Sequence, residues 1–325
     1  MAEILFIKTS SLGDVIHHMP ALTEARMRRP GARFAWVVEE AYAPLVRLHP
    51  AVEVVLPVAT RRWRGALHRS STWREMRSFG QALRANRYDE IIDTQGLIRS
   101  ALIACYARGR AHGYDTDSIK ERPAVWFYDV QHRVAREQHA IARNRSLTAL
   151  ALGYTPTGAP DFGLDRARLV STQSAPYGIL LHATARPEKE WPEEYWRQLA
   201  GMLGRALGRD IGLVLPFGTA VERARSERIA SGVARARVPD RQPLDAMARL
   251  IAGADFVVGV DTGLLHLAAA LGVPLVAIFA GSEPGLTGPM GVGPIGILGG
   301  KARSSSVPQV AAEVERILAM PRTRP

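Results

Sequence analysis

The sequence has 325 residues, too many for one ordinary domain, and 47% of them are hydrophobic, enough to fill two cores. Its formal net charge of +11 favours an anionic partner but does not distinguish nucleic acid, phospholipid and phosphorylated substrates. Because Cys105 is the single cysteine, an internal disulfide framework and a cysteine-ligated metal are excluded, and a reducing, cytoplasmic compartment is expected.

Short apolar runs alternate with helical segments in both halves of the chain, which predicts parallel β-sheets covered by helices. In the first half the predicted strands are residues 4–7, 34–38, 52–56 and 90–93. In the second half they are residues 178–181, 212–215, 256–260 and 275–279, with helices at 192–207 and 243–252. We therefore expect the two halves to share one α/β architecture.

A polar turn joins the first predicted strand to an apolar helix. Ser10, Ser11 and Gly13 let the backbone turn tightly, and the N–H groups at the helix start attract an anion. Asp14 is either a helix cap, which stabilises a helix by roughly 0.5–2 kcal/mol, or a general base at the ligand edge of the sheet. The turn has neither the Gly-Lys-Thr/Ser of a Walker loop nor a G-x-G-x-x-G fingerprint, so kinase, GTPase and nicotinamide functions are disfavoured.

Residues 61–87 carry the strongest local charge, with eight arginines and two interleaved tryptophans. Arginine side chains suit phosphate and carboxylate groups, and we expect Arg61, Arg62 and Arg64 to contact an anionic ligand. A solvated helix face is the alternative for the individual arginines. Lys120, in a predicted loop of the same half, is a further candidate.

A domain junction is predicted where turn-forming residues cluster. Residues 153–160 are rich in glycine, proline and threonine, and no strong periodicity returns until about residue 175. The predicted domains are residues 1–160 and 161–325. Apolar side chains at helical spacing predict a closing helix at residues 308–320. The sequence does not determine where this helix packs, and the first domain is one candidate.

The turn after the first strand of the second half contains Thr184 and Lys189. Lys189 could neutralise charge on a departing phosphate, as fixed cations do in group transfer. A lysine before a helix is more often simply solvated, so both interpretations stay open.

A second turn in this half contains Asp261, Thr262 and Gly263 and leads into a helix with His266. Thr262 and Gly263 could offer N–H groups and a hydroxyl to a diphosphate at the helix N-terminus. The alternative is an ordinary helix cap followed by a core histidine.

The longest apolar stretch, residues 264–281, is interrupted by Gly-Val-Pro at 272–274. It therefore predicts a helix, a turn and a buried strand, and not a membrane span. The N-terminus has neither a basic leader nor a long apolar signal core. Any membrane association is expected to be peripheral.

Six segments, in the same order and along nearly the whole chain, resemble heptosyltransferase I of glycosyltransferase family 9. They are residues 8–15, 36–40, 61–64, 93–97, 182–184 and 261–266. The resemblance implies a GT-B fold, in which two Rossmann-like domains face each other across a cleft. It also implies an inverting, metal-independent transfer of L-glycero-D-manno-heptose from ADP-heptose to the first Kdo sugar of Kdo2-lipid A, in synthesis of the lipopolysaccharide inner core and without a cofactor.

The resemblance assigns roles to residues in both domains. Asp14 would be the general base, Asp261 would hold heptose hydroxyls, and Glu222 would hold the ribose. The full donor-binding set would be Thr184, Lys189, Glu222, Asp261, Thr262, Gly263 and His266, with the diphosphate at Thr262 and Gly263. The acceptor-binding set would be Ser10, Ser11, Gly13, Arg61, Arg62, Arg64 and Lys120. The protein would act at the cytoplasmic face of the inner membrane as a peripheral protein, with no nucleic-acid partner.

The chain departs from the family pattern at two positions and leaves two rival functions open. Ala185 stands where a second hydroxyl is expected, and Gln242 lies in a polar segment where the family tends to place an apolar contact for the adenine. A related transferase that adds a later core sugar is the nearer rival, and a basic nucleic-acid-binding protein is the more distant one. Asp115 and Asp117 have the spacing of a metal-binding carboxylate pair, but they fall away from the predicted donor turns.

Overall fold

The computed structural model describes residues 1–169, 175–206, 211–301 and 303–320. The chain divides into two compact units, Met1–Gly163 and Leu164–Pro325, each with its own sheet. The division falls between Gly163 and Leu164, compared with the predicted boundary between residues 160 and 161. Each unit carries one of the two strand patterns seen in the sequence.

In the described part of the first unit, parallel strands form one sheet in the order β3-β2-β1-β4-β5-β6. The strands are β1 (Glu3–Ile7), β2 (Arg33–Glu39), β3 (Val54–Val58), β4 (Glu90–Asp93), β5 (Arg110–Tyr114) and β6 (Val130–His132). The helices are α1 (Leu12–Arg28), α2 (Ala43–Val46), α3 (Thr60–Arg64), α4 (Ser70–Arg84), α5 (Ile98–Tyr106) and α6 (Ala140–Leu152). Short 3-10 helices span Glu40–Tyr42 and Arg122–Phe127.

The second unit repeats this design with a parallel sheet in the order β12-β11-β10-β7-β8-β9. The strands are β7 (Tyr177–Leu181), β8 (Gly212–Val214), β9 (Ala236–Arg237), β10 (Phe256–Val260), β11 (Leu275–Phe279) and β12 (Ile295–Gly299). The helices are α7 (Glu193–Ala206), α8 (Ala220–Ala230), α9 (Leu244–Ala252), α10 (Gly263–Ala270) and α11 (Val307–Ala319). Short 3-10 helices span Arg166–Arg168, Pro187–Lys189 and Gly285–Thr287.

The direction of strand addition reverses beside the first strand of each sheet. In the first unit β1 pairs with β2 on one side and with β4 on the other, and in the second unit β7 lies between β8 and β10. Open α/β sheets bind ligands outside the carboxyl ends of the strands at such a reversal. The turns that follow β1, β4, β7 and β10 are therefore the expected ligand-binding turns.

The central strands are covered on both faces, so their sequences are continuously apolar and do not alternate. The four residues from Ile4 to Ile7 are at most 2% exposed, and β10 is buried along its whole length. Because apolar runs mark such buried strands, the predicted bounds at residues 90–93, 256–260 and 275–279 are the same as those in the structure. Strands β5 and β6 were not predicted, because these short strands contain arginine, histidine, glycine and glutamine.

The closing helix α11 belongs to the core of the second unit. Its buried residues Val310, Val314 and Ile317 join the same apolar cluster as Trp196 and Val276. The apolar face of α11 is therefore part of the second unit's own core, and packing of this helix on the first domain stays a prediction. The predicted helix at 192–207 is observed as α7, and residue 207 lies outside the described residues.

The long apolar stretch has the predicted helix, turn and strand. It contains α10, a turn in which Gly272 has a φ of +65°, and β11. Among the described residues, no helix combines the length and the apolar character needed to span a bilayer.

Candidate active site

Asp14 lies in the first turn of α1, directly after the β1 turn. Its Oδ2 accepts the N–H of Ser11 at 2.8 Å and the hydroxyl of Ser11 at 2.9 Å. Asp14 therefore does cap the helix, in a capping box with Ser11. Among the described residues both of these bonds go to Oδ2, which leaves Oδ1 available to a ligand hydroxyl. The cap and the general base are compatible roles for this one carboxylate.

Lys8 directly follows β1 and is a buried cation close to Asp14. It is 6% exposed, and its Nζ donates to the carbonyl of Thr94 at 2.8 Å and to Oδ1 of Asn144 at 3.5 Å. Burial lowers the pKa of the Lys8 ammonium, and the charges of Asp14 and Asp93 oppose that shift. The sequence analysis did not assign Lys8 to the site, although a lysine at the end of a buried strand was a signal.

The turn after β4 is held to the turn after β1 by Gln95. Its Oε1 accepts the backbone N–H groups of Thr9 at 3.1 Å and of Ser10 at 3.2 Å. The backbone of Gln95 is itself fixed, because its N–H donates to the buried Asp93 at 2.8 Å. Burial raises the pKa of the Asp93 carboxyl, and Tyr128 donates to it at 2.7 Å. The N–H of Ser10 is therefore engaged by the protein.

Basic side chains surround this turn. Arg99, at the start of α5, donates from Nη2 to Oγ of Ser10 at 3.0 Å. Lys120 is exposed and close enough for its charge to lower the pKa of Lys8. Gly13, in the first turn of α1, is buried beside Asp14. The edge of the first sheet thus combines the partly buried carboxylate of Asp14 with several cations, which suits an anionic ligand that presents a hydroxyl.

The arginines of α3 fall into two groups. Arg62 binds Glu40 with Nε and Nη2, at 3.0 and 2.9 Å, and Glu75 with Nη1 at 2.8 Å. These carboxylates already neutralise Arg62, so the structure does not favour its predicted contact with a ligand. Arg61 and Arg64 are exposed, and the Arg61 guanidinium lies 5.9 Å from the ring centre of Tyr42.

Four predicted donor residues come together at the edge of the second sheet. Nζ of Lys189 lies 2.5 Å from Oδ2 of Asp261, and the hydroxyl of Thr184 donates to the carbonyl of Asp261 at 3.0 Å. Ser282, after β11, donates to the same Asp261 oxygen at 2.9 Å. Nε2 of His266 lies 3.9 Å from Oδ1 of Asp261. The sequence analysis missed Ser282, because only the strand order brings its turn beside Asp261.

The N-terminus of α10 is open to an anion. Thr262 is the cap residue, with extended backbone angles, and its side chain makes no capping hydrogen bond. Gly263 begins the helix and adds no side chain at its first position. The first N–H groups of a helix and its dipole favour a phosphate.

Glu222 also has two possible roles. Its Oε2 accepts the N–H groups of Gly218 at 2.7 Å and Thr219 at 3.2 Å, so it completes the capping box of α8. It also lines a cavity of about 400 Å³ together with Trp191 and Arg225. Glu222 is therefore placed where it can accept hydrogen bonds from hydroxyl groups, although part of it is used by the helix.

Two other polar side chains of the first unit, Asp115 and His132, have partners within the protein. Oδ1 of Asp115 accepts the N–H of Ser118 at 2.9 Å, which makes this carboxylate part of a turn. Within the described ranges, no three histidine, cysteine, aspartate or glutamate side chains are arranged to hold a metal ion. Nε2 of His132 lies 2.9 Å from Nδ1 of His112, a pairing that the sequence did not reveal.

The chain is similar in sequence and in fold to known proteins. Residues 76–310 match the family model for glycosyltransferase family 9 (heptosyltransferase). The chain is 44% identical over 293 residues to lipopolysaccharide heptosyltransferase 1 of Escherichia coli K12, covering 89% of this chain and 91% of that relative. The structure of E. coli heptosyltransferase WaaC with ADP superposes with a TM-score of 0.90 at 40% identity, covering 97% of this chain and 99% of that one. WaaC with ADP-2-deoxy-2-fluoro heptose gives 0.85 at the same identity, with 97% and 98% covered.

Proposed function

Because this chain belongs to glycosyltransferase family 9, the heptosyltransferase family, we propose that it transfers heptose from ADP-heptose during synthesis of the lipopolysaccharide inner core. The observation that carries the proposal on this chain is the cluster of Thr184, Lys189 and Asp261 beside the open N-terminus of α10. It combines a cation and helix N–H groups for a diphosphate with a carboxylate for sugar hydroxyls.

The donor is held by the second unit in this proposal. The diphosphate binds the N–H groups at Thr262 and Gly263, and Lys189 neutralises the charge that develops as ADP leaves. Asp261 and Ser282 accept hydrogen bonds from the heptose. The Glu222 cavity is the part of this edge that suits the ribose.

The acceptor reacts at the first unit. Asp14 removes the proton from the acceptor hydroxyl as its oxygen attacks the anomeric carbon of the heptose. A new carbon–oxygen bond forms on one face of that carbon, the bond to the phosphate oxygen breaks on the other, and ADP carries away the electron pair. Displacement of this kind inverts the anomeric configuration, and neither a metal ion nor a cofactor enters the proposal.

The acceptor in this proposal is Kdo2-lipid A, through its first Kdo sugar. Kdo carboxylates and lipid A phosphates are anions, and Arg99 and Lys120 are cations beside the Asp14 turn. Arg61 and Arg64 are exposed on α3, which is linked to this turn because the N–H of Arg61 donates to Glu39 and the N–H of Glu39 donates to the carbonyl of Thr9. Ser10, Ser11 and Gly13 provide small residues that allow a sugar to approach Asp14. Since lipid A is anchored in a bilayer, the protein would act at the cytoplasmic face of the inner membrane.

Release of ADP from ADP-heptose tests the function directly. The assay compares reactions with and without delipidated Kdo2-lipid A, both in EDTA. Release that needs the acceptor and survives the chelator supports the proposed reaction and acceptor. Release only with an acceptor that already carries heptose would instead identify a transferase for a later core sugar.

A further inference from the structure

One side of α5 exposes large apolar side chains. Ile98, Leu102 and Tyr106 recur at every fourth residue and so share a side of the helix, with exposures of 39%, 49% and 53%. Trp126, in the 3-10 helix that packs on α5, is 84% exposed. Single exposed apolar residues are ordinary, but four on two neighbouring elements make a patch. Ile98, Leu102, Tyr106 and Trp126 are called the α5 patch below.

Basic side chains border the α5 patch. The ring of Tyr106 lies over Gly80 of α4, and Arg84 of the same helix donates to the Tyr106 carbonyl at 2.9 Å. The Arg84 guanidinium lies 5.0 Å from the centre of that ring. Arg77 and Arg122 are exposed on the two elements that flank α5. Residues 60–88, which include α4, contain eight arginines and one glutamate.

The acidic side chains near the patch are bound to backbone. Oε2 of Glu121 accepts the N–H of Ile98 at 2.7 Å, and Oδ2 of Asp129 accepts the N–H of Ala111 at 2.7 Å. Both carboxylates thereby stabilise the local fold, and they are outnumbered by the cations. The surface around the patch is positively charged.

The α5 patch is continuous with the Asp14 turn. Arg99 follows Ile98 in the chain and donates to Oγ of Ser10 at 3.0 Å. A membrane that contacts the patch would therefore lie next to the turn that holds Asp14. A lipid-anchored acceptor presents its sugars close to the bilayer surface, which is where this turn would then be.

We propose that the α5 patch binds the surface of an anionic phospholipid bilayer; the link to catalysis, though not the binding itself, rests on the proposed function. Tryptophan and tyrosine favour the interface between lipid and water, and arginines around them attract anionic headgroups. A nucleic acid would use the arginines and aromatic rings, but it would gain little from the aliphatic Ile98 and Leu102. A bilayer uses both kinds of side chain.

The test is co-sedimentation of the full chain with vesicles of phosphatidylethanolamine and phosphatidylglycerol. The wild type should bind these vesicles in a salt-sensitive manner and bind phosphatidylcholine vesicles weakly. The double variant Leu102→Gln/Trp126→Gln should lose on the order of tenfold or more in its vesicle partition coefficient. Equal partition of the wild type and this double variant would overturn the proposal.

Leu150→Gln is a matched control, because Leu150 is 50% exposed on α6. Helix α6 packs on α1, and right-handed crossovers place α1 and α5 on opposite faces of the sheet. Leu150→Gln should therefore bind vesicles like the wild type, and an equal loss would count against the α5 patch.

Further measurements distinguish membrane binding from catalysis and from binding to another macromolecule. The double variant should still transfer heptose to the delipidated acceptor; failure of the wild type in that assay, with vesicle binding intact, would refute the proposed function alone. Trp126→Phe keeps an aromatic ring and should still bind, with less fluorescence quenching by brominated phospholipid than the wild type. If the wild type is a dimer in light scattering and the double variant is not, the patch is a contact between two copies of the chain and the proposal is overturned. If the double variant loses binding to an oligonucleotide but still binds vesicles, the patch binds nucleic acid and the proposal is likewise overturned.

Discussion

Lys189 is paired with Asp261 through a contact of 2.5 Å, so the cation proposed for the departing phosphate is already bound to the carboxylate proposed for the sugar. Both side chains are partly buried, with 21% and 16% of their surfaces exposed. A ligand phosphate therefore competes with Asp261 for Lys189. The two residues should respond differently to ADP and to ADP-heptose.

Lys189→Met is expected to weaken the binding of ADP and ADP-heptose alike, by about tenfold or more, because each ligand loses a charge-assisted bond. Asp261→Asn should leave ADP affinity unchanged or improved, since it removes the competitor for Lys189, but it should weaken ADP-heptose. Titration calorimetry with both ligands measures the difference. If Asp261→Asn weakens ADP as much as ADP-heptose, Asp261 does not act on the sugar.

The two roles of Asp14 can be separated by substitution. Asp14→Asn keeps an oxygen that accepts from Ser11 but cannot take a proton, whereas Asp14→Ala loses both functions. We expect both variants to lose about 10²–10⁴-fold in turnover. Only Asp14→Ala should also lose about 1 kcal/mol of unfolding free energy. Turnover assays with urea unfolding decide this, and an active Asp14→Asn enzyme would remove Asp14 from the base role.

Neutralisation of Arg62 by Glu40 and Glu75 predicts different effects within one short helix. Arg62→Ala should change the acceptor KM by less than about twofold, because its guanidinium is already satisfied. Arg61→Ala and Arg64→Ala should raise the acceptor KM by roughly tenfold if each contacts a phosphate or carboxylate. Initial rates at varied acceptor concentration provide the comparison. A larger effect from Arg62→Ala than from its neighbours would reverse the assignment.

The contrast between Arg62 and Asp261 shows how far the sequence could be used for prediction. Apolar runs indicated the strands, and polar turns after them indicated Thr184, Lys189 and Asp261, because parallel strands place such turns at one edge. The partners of Arg62 could not be predicted, since Glu75 lies on another helix 13 residues away. Ser282 and Gln95 were missed for the same reason, because their roles depend on which turns become neighbours after folding.

The buried His182 predicts a loss of stability in mild acid. It is fully buried with Nε2 2.7 Å from Oγ of Ser226, and burial lowers its pKa from 6.5 to about 4. In the unfolded chain His182 takes up a proton below about pH 6.5, whereas in the folded chain it does so only near pH 4. The stabilising contribution of neutral, buried His182 is therefore complete above about pH 6.5 and is lost as the pH falls towards 4. The loss should be roughly 2 kcal/mol by about pH 5.

Urea unfolding of the wild type and His182→Gln at about pH 7 and about pH 5 measures this contribution. The amide of glutamine can still reach the Ser226 hydroxyl, but it does not titrate. The variant should therefore lose less unfolding free energy between the two pH values than the wild type. Equal losses would show that other groups cause the acid sensitivity.

Gly281 fixes the position of Lys189 through the backbone. A Cβ atom at residue 281 would lie 1.9 Å from the carbonyl oxygen and 2.8 Å from the carbonyl carbon of Glu188, and backbone atoms cannot rotate away as a flexible side chain can. Gly281→Ala must therefore shift the backbone at residue 281 or at Glu188, and we expect this shift to move Lys189 out of the position in which it meets the donor phosphate. We expect donor affinity to fall by about tenfold, close to the effect of Lys189→Met. Gly285→Ala in the same region meets no atom within 4 Å and is the control. If Gly281→Ala binds ADP as tightly as Gly285→Ala does, the position of Lys189 does not determine donor affinity.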